Sequence, residues 1–160
     1  MESSGARFSE CMRYRYALWR TWDEATSPLT FVMLNPSTAN EVDNDPTVER
    51  CQQRAIQMGF GGVRVANIFA LRSTDPAALY MDTDPVGAEN DAAILAACTG
   101  AGMVICAWGG HGKFKDRGAF VAGLIRQVGI TPHALHINQD GTPKHPLYVG
   151  YSVQPKPMLA

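Results

Sequence analysis

Three polar sites fall where apolar, strand-like runs stop. Asn35-Pro36-Ser37 follows Phe31-Val32-Met33-Leu34, Asn67 follows Val63-Arg64-Val65-Ala66, and His145-Pro146 follows the turn Asp140-Gly141-Thr142-Pro143. A carboxamide offers a donor and an acceptor in one plane, so Asn35 can orient a water and Asn67 can read one edge of a nucleobase. His145, beside Lys144, is a donor able to stabilise negative charge on a leaving group. The loop after Ser37 carries Glu41, Asp43 and Asp45. Asp45 precedes Pro46 as a helix cap, which leaves Asp43 as the second polar group of the catalytic set. In an open α/β sheet the carboxyl ends of parallel strands share one edge, so residues distant in sequence can converge there on one small ligand. Taken singly, the same residues also fit a strand stop, a partner for loop backbone and a histidine held in a turn.

The elements that must position these groups alternate between strand and helix. Residues 12–22 alternate Arg13, Arg15 and Arg20 with aromatic and apolar residues, the pattern of an edge strand with one wet face. Phe31 to Leu34 has the length of a buried parallel strand and stops at a proline that cannot extend the ladder. Asp45-Pro46-Thr47 opens a helix with Val48, Cys51, Ala55 and Ile56 on one face, ended by Gly59 to Gly62. Val63 to Ala66 is the second core strand. A short helical turn is expected from Asp75-Pro76, and a longer helix over residues 87–101. Met103 to Trp108 and His133 to Ile137 give two further strands, with a helix at residues 117–128 between them. The expectation is an α/β fold: three layers, α/β/α, around a central four-stranded, mainly parallel sheet. One domain over residues 1–160 is expected, with a loose tail from about residue 154.

With 160 residues and 46% apolar content, the chain can bury one core. The net charge of −1 lacks the overall basic signature common in nucleic-acid-binding modules. Its distribution is uneven: residues 1–100 hold 8 Arg against 13 Asp or Glu, net −5, and residues 101–160 hold 6 Lys or Arg against 2 Asp, net +4. The C-terminal part is therefore either the face for a phosphate-bearing partner or a solvated face without a ligand. Cys11, Cys51, Cys98 and Cys106 form no CxxC pair, and Cys98 and Cys106 read as small buried side chains of a reduced protein. No apolar run approaches membrane-spanning length, and the N-terminus lacks a secretory apolar stretch, so a cytoplasmic protein without a membrane partner is expected.

Gly109-Gly110-His111-Gly112-Lys113 does not meet the phosphate-loop spacing, since Ala107 and Phe114 stand where Gly and Ser or Thr are required. It reads as a flexible turn opening the helix at Arg117, whose amides, with Lys113 or Lys115, can meet a phosphate, and His111 is a further candidate for substrate binding. His133 and His136 fall on opposite faces of their strand, so no metal site is expected.

With these motifs in order, the chain resembles the uracil-DNA glycosylase superfamily and, within it, a bacterial domain family of unknown function. The resemblance rests on Met33-Leu34-Asn35-Pro36-Ser37, Val65-Ala66-Asn67-Ile68, Ala107-Trp108-Gly109-Gly110-His111 and His145-Pro146-Leu147-Tyr148, and spans roughly residues 29–150. It implies cleavage of an N-glycosidic bond after a base is flipped from the stack. Asn35 would orient the attacking water, Asn67 would read the base and His145 would donate to the departing base anion. Ser37, after Pro36, would contact phosphate. Leu147 or Tyr148, after Pro146, would wedge into the vacated space, and Phe69 is the candidate for stacking on the base. Met33, where uracil-excising members usually carry Gly, points to a base other than plain uracil. No paired cysteine motif is present, so no iron–sulfur cluster or other cofactor is expected. The expected partner is DNA with a modified or damaged base. The alternatives are an enzyme of the same fold acting on a free nucleoside or nucleotide, and a non-catalytic nucleotide or nucleic-acid binding module.

Overall fold

The computed structural model describes residues 2–159. It is an α/β molecule built on one seven-stranded sheet rather than the four strands expected. The strands are β1 (Ser3–Phe8), β2 (Arg15–Thr21), β3 (Pro28–Met33), β4 (Gly62–Asn67), β5 (Met103–Cys106), β6 (Pro132–Ala134) and β7 (Lys156–Pro157), in spatial order β1-β2-β4-β3-β5-β6-β7. The four central strands β4, β3, β5 and β6 are mutually parallel, as the alternation with helices requires. Three antiparallel pairings, β1 with β2, β2 with β4 and β6 with β7, extend the sheet at both ends.

Helices cover both faces. On one face, α1 (Pro46–Gln57) packs Val48, Cys51 and Ala55 against Leu29, Phe31, Met33, Val63 and Val65. On the other, beyond the short helix α2 (Ala77–Met81), α3 (Asn90–Cys98) and α4 (Arg117–Gln127) pack Ile94, Ala97, Val121 and Ile125 against Val32, Ala66, Val104 and Cys106. Alternate residues of β3 thus feed opposite cores, and Phe31 and Val32 are both fully buried, the pattern of a strand sandwiched between helices. The α1 start follows its sequence signals: Asp45 accepts from the Val48 amide at 2.8 Å and Pro46 fills the first turn. Ile56 does not share the buried face of α1; it is 44% exposed.

Residues 15–21 do not form an edge strand. β1 covers that side, and Arg15 and Arg20 are buried rather than on a wet face. The alternation is interrupted by a register shift between Arg7 and Phe8 in the β1–β2 pairing, and the loop 39–45 supplies acceptors to both arginines. Arg20 donates to Asn40 O at 2.6 Å and to Asn44 Oδ1 at 3.1 Å, and Arg15 donates to Ala39 O at 3.1 Å. The segment after residue 154 is not loose either. β7 pairs with β6, Met158 N donates to Pro132 O, and Arg126 donates to the carbonyls of Met158 and Leu159.

Candidate functional site

The chain order places a reversal between β3 and β5. From β3 the α1 crossover leads to β4 on one side, whereas the later strands β5 and β6 lie on the other. At such a switch point the loops leaving the two strands diverge above opposite faces and open a crevice at their carboxyl ends. A cleft of about 390 Å³ occupies this place. Its walls are the β3 exit (Met33, Leu34, Asn35, Pro36, Ser37), Asn67 at the end of β4, the β5 exit from Trp108 to His111, and His145. The register explains the convergence, because Met33 pairs with Asn67 and Val32 with Cys106, so all three strands end level.

The Asn35 carboxamide is half-buried and its nitrogen is used by the protein. Nδ2 donates to Ser73 O at 3.0 Å, with longer contacts to Pro36 O and Leu71 O. Only Oδ1 remains, an acceptor for a water or a ligand donor. Asn67 is the reverse. It is 2% exposed, its Oδ1 accepts from Arg15 Nη2 at 3.3 Å, and its Nδ2 has no partner among the described residues. A guanidinium can only donate, so it fixes which way this amide points. Asn90 Nδ2 holds the Asn67 backbone carbonyl at 2.8 Å.

His145 precedes a 3-10 turn at Pro146–Tyr148, and its Nδ1 accepts from the Leu147 amide at 3.3 Å. The neutral ring therefore carries its proton on Nε2. Burial holds its pKa below the ordinary histidine value, opposed by the charge of Asp45. Neutral His145 with an Nε2–H donor is the form present near pH 7.

Asp43 is exposed on the loop surface and lines no part of the cleft; its backbone, not its carboxylate, bonds to Asn40 and Arg20. The loop turns so that Asp45 faces inward instead. Asp45 lines the cleft, 8% exposed, with Oδ1 on Val48 N and Oδ2 on Ala39 N. Phe69 does not meet the cleft. It is fully buried, 5.9 Å from the Phe114 ring, so it is unavailable for stacking on a base. Lys113 lies outside and ion-pairs with Asp140 at 3.8 Å, and Lys144 is half-buried on a loop where its amide donates to His136 O. Pro146 is buried, Leu147 half-buried and Tyr148 79% exposed, all beyond the cleft wall. Ser37, Pro36 and His111 do line it, and the His111 Nδ1 shares a hydrogen bond with the Tyr80 hydroxyl at 2.9 Å.

Several cleft residues were not legible as such, among them Thr47, Ser73, Thr74 and Pro76 and, more consequentially, Arg15 and Trp108. Arg15 lines the wall and is 2% exposed; desolvation pushes its pKa down to about 10, so it remains a cation at neutral pH. Trp108 forms part of the floor, packed so closely on Gly112 and Gly118 that a Cβ at either would overlap its ring. Gly112, in the glycine-rich stretch after Trp108, could have signalled such packing; nothing near Arg15 in sequence signals a site. Among the described residues no group of three His, Cys, Asp or Glu side chains is placed to hold a metal, and no helix is long and apolar enough to cross a membrane.

A parallel-centred sheet covered on both faces, with a polar cleft at its switch point, defines an α/β protein of the class whose ligand clefts lie at the sheet's carboxyl edge. Residues 15–147 match the family model described as Protein of unknown function (DUF1643), and the chain belongs to that family. Comparison with curated proteins and with solved structures found no match.

Proposed function

We propose that the protein hydrolyses the N-glycosidic bond of a damaged or modified base. The observation that carries this reading is the convergence of a free amide oxygen (Asn35), a free amide NH2 (Asn67) and an Nε2–H donor (His145) in one cleft at the sheet edge. Breaking the bond leaves negative charge on the base and requires a water at the sugar carbon. His145 donates to the departing base, where a placed donor in a water-poor site lowers the barrier. Asn35 Oδ1 accepts from the attacking water and fixes its position, and Asn67 holds the base. Asp45, the one carboxylate lining the cleft, takes the catalytic place expected for Asp43 and is the group available to draw a proton from that water.

The test is a panel of duplexes carrying uracil, hypoxanthine, xanthine and hydroxymethylated bases, assayed for abasic sites. Abasic product from at least one is expected; none from any would overturn the proposal. A free nucleoside or nucleotide as substrate is the second reading, favoured by the position of the lysines: Lys113 is tied to Asp140 and neither it nor Lys144 borders the cleft. Duplex affinity that falls steeply with added salt supports the DNA substrate, because phosphate contacts release counterions. Turnover of nucleoside without duplex binding supports the second.

A further inference from the structure

A second cavity opens beside the cleft. It is a groove of about 620 Å³ that shares Ser37, Ser73 and Thr74 with the cleft and is flanked further out by Arg13, Arg72 and Asp82. The approach to β2 and the segment leaving β4 build it. Tyr14 and Leu71 form an antiparallel bridge, and Arg72 N donates to Arg13 O at 2.9 Å, so Arg13 and Arg72 stand opposite each other. Like charges so placed repel, and an anion beside them relieves the cost. Only one of the two has a carboxylate of its own. Arg13 Nη2 donates to Asp82 Oδ2 at 2.5 Å. Arg72 Nη1 donates to Met12 O at 3.0 Å and its guanidinium lies over the Phe8 ring at 4.7 Å, while Nε and Nη2 have no partner among the described residues. Stacking fixes the plane of a guanidinium, and its free edge can grip two oxygens of one anion. The neighbouring carboxylates are turned to their own loops, Asp75 accepting from Ala77 N and Asp84 from Gly87 N. The hydroxyls of Ser37 and Thr74, common to groove and cleft, also have no partner among the described residues. Burial lowers the pKa of Arg15 in the cleft, Asp45 opposes this, and the charge of Arg72 lowers it further, so the field of Arg72 reaches the cleft.

We propose that the groove is a phosphate subsite and that the ligand of the cleft is a nucleotide, free or within DNA, with its base at Asn67 and a phosphate held by Arg72 beside the Ser37 and Thr74 hydroxyls. This rests on the base-binding reading of the cleft. A phosphate offers several acceptor oxygens, which matches a guanidinium edge next to two hydroxyls. Its cation comes from the acidic first hundred residues and not from the lysine-bearing residues 101–160.

Equilibrium binding tests this without requiring turnover. The protein is titrated calorimetrically with 2′-deoxyuridine, 2′-deoxyinosine and 2′-deoxyxanthosine, each with and without a 5′- or 3′-phosphate, and with duplexes containing the same bases. For a free nucleotide, the phosphate should tighten binding of at least one nucleoside at least about tenfold, the worth of a hydrogen bond to a charged group. Arg72→Gln should remove most of that gain and change nucleoside affinity less than about twofold, since it does not touch the base. Asp82→Asn should enlarge the gain by freeing the Arg13 guanidinium, and Lys113→Ala should leave it unchanged. For a DNA phosphate, Arg72→Gln should instead lower the salt dependence of duplex binding by about one counterion. No gain from phosphate together with an unchanged duplex salt dependence overturns the proposal, as does a gain that survives Arg72→Gln or a failure of every ligand to bind. Phosphate-dependent binding without glycosidic cleavage leaves the subsite standing and overturns hydrolysis; abasic product with neither the gain nor the salt effect does the opposite.

Discussion

The cleft has two unlike walls. On one, Asn35 and Asn67 leave the ends of β3 and β4 and are locked by hydrogen bonds to loop carbonyls and to the buried Arg15. On the other, His145 sits on an irregular loop beyond β6, followed by a single 3-10 turn. The strand wall is held by the sheet register itself. The loop wall is held before His145 by backbone bonds, Gly109 N to Pro143 O and Lys144 N to His136 O, each at 2.8 Å, and after it by side chains of α1: Arg54, 1% exposed, donates to the carbonyls of Val149, Gly150 and Val153, each at 3.0 Å, and Arg50 donates to Val149 O at 2.6 Å. Both guanidiniums lie over the Tyr151 ring, at 4.0 and 5.5 Å. A polar group at a strand end needs little further support, whereas one on a loop depends on distant residues to stay in place.

Breaking the loop clamp should have the largest effect. Arg54→Ala leaves the Gly150 and Val153 carbonyls without their donor, Val149 O keeping Arg50, and opens a void beside Tyr151; it should cost about 2–5 kcal/mol in urea unfolding, with His145-dependent activity lost in parallel. A stability change below about 0.5 kcal/mol would show that the loop holds itself, since that is the range of surface substitutions. Next come the two walls' own catalytic groups. Asn35→Ala and His145→Ala should each lower turnover at least about tenfold with modest change in melting temperature, the loss expected for a positioned water or a charge-stabilising donor.

Smaller effects sharpen the contrast. Burial lowers the pKa of His145 in the folded state, so the unfolded chain takes up its proton first as pH falls. The folded protein is therefore at full strength from this residue above the ordinary histidine range and loses stability as pH drops through it. His145→Asn should flatten the pH dependence of unfolding between about pH 7 and 5. An unchanged slope would show that the loop wall is open to solvent. Smallest of all, Asp43→Asn and Lys113→Ala should change turnover less than about twofold, since exposed charges of this kind contribute little; a tenfold loss from either would put the site outside the cleft described.

The four central strands and the four helices were legible because each carries a local signal: short apolar runs, the Asp45-Pro46 cap, the Asp75-Pro76 start of the short helix Ala77–Met81, and the helical spacing over residues 90–98 and 117–127. The convergence of Asn35, Asn67 and His145 was legible too, since strand ends on one sheet edge follow from the alternation of elements. Of the flanking strands, β2 was legible as a strand though not as a covered one, and β1 and β7 were not. β7 is two residues long, and β1 begins Ser3-Ser4-Gly5, without an apolar alternation to mark it.

By itself the sequence determined the α/β class, the capped helix and the strand ends that carry the polar groups, because these depend on neighbours within a few residues. Only the tertiary structure decided that Asp45 rather than Asp43 faces the cleft, that Phe69 lies in the core, and that Arg15 turns the Asn67 amide. Those outcomes depend on how a loop folds over β2 and on which acceptors meet a buried guanidinium, contacts between residues tens of positions apart that no local pattern encodes.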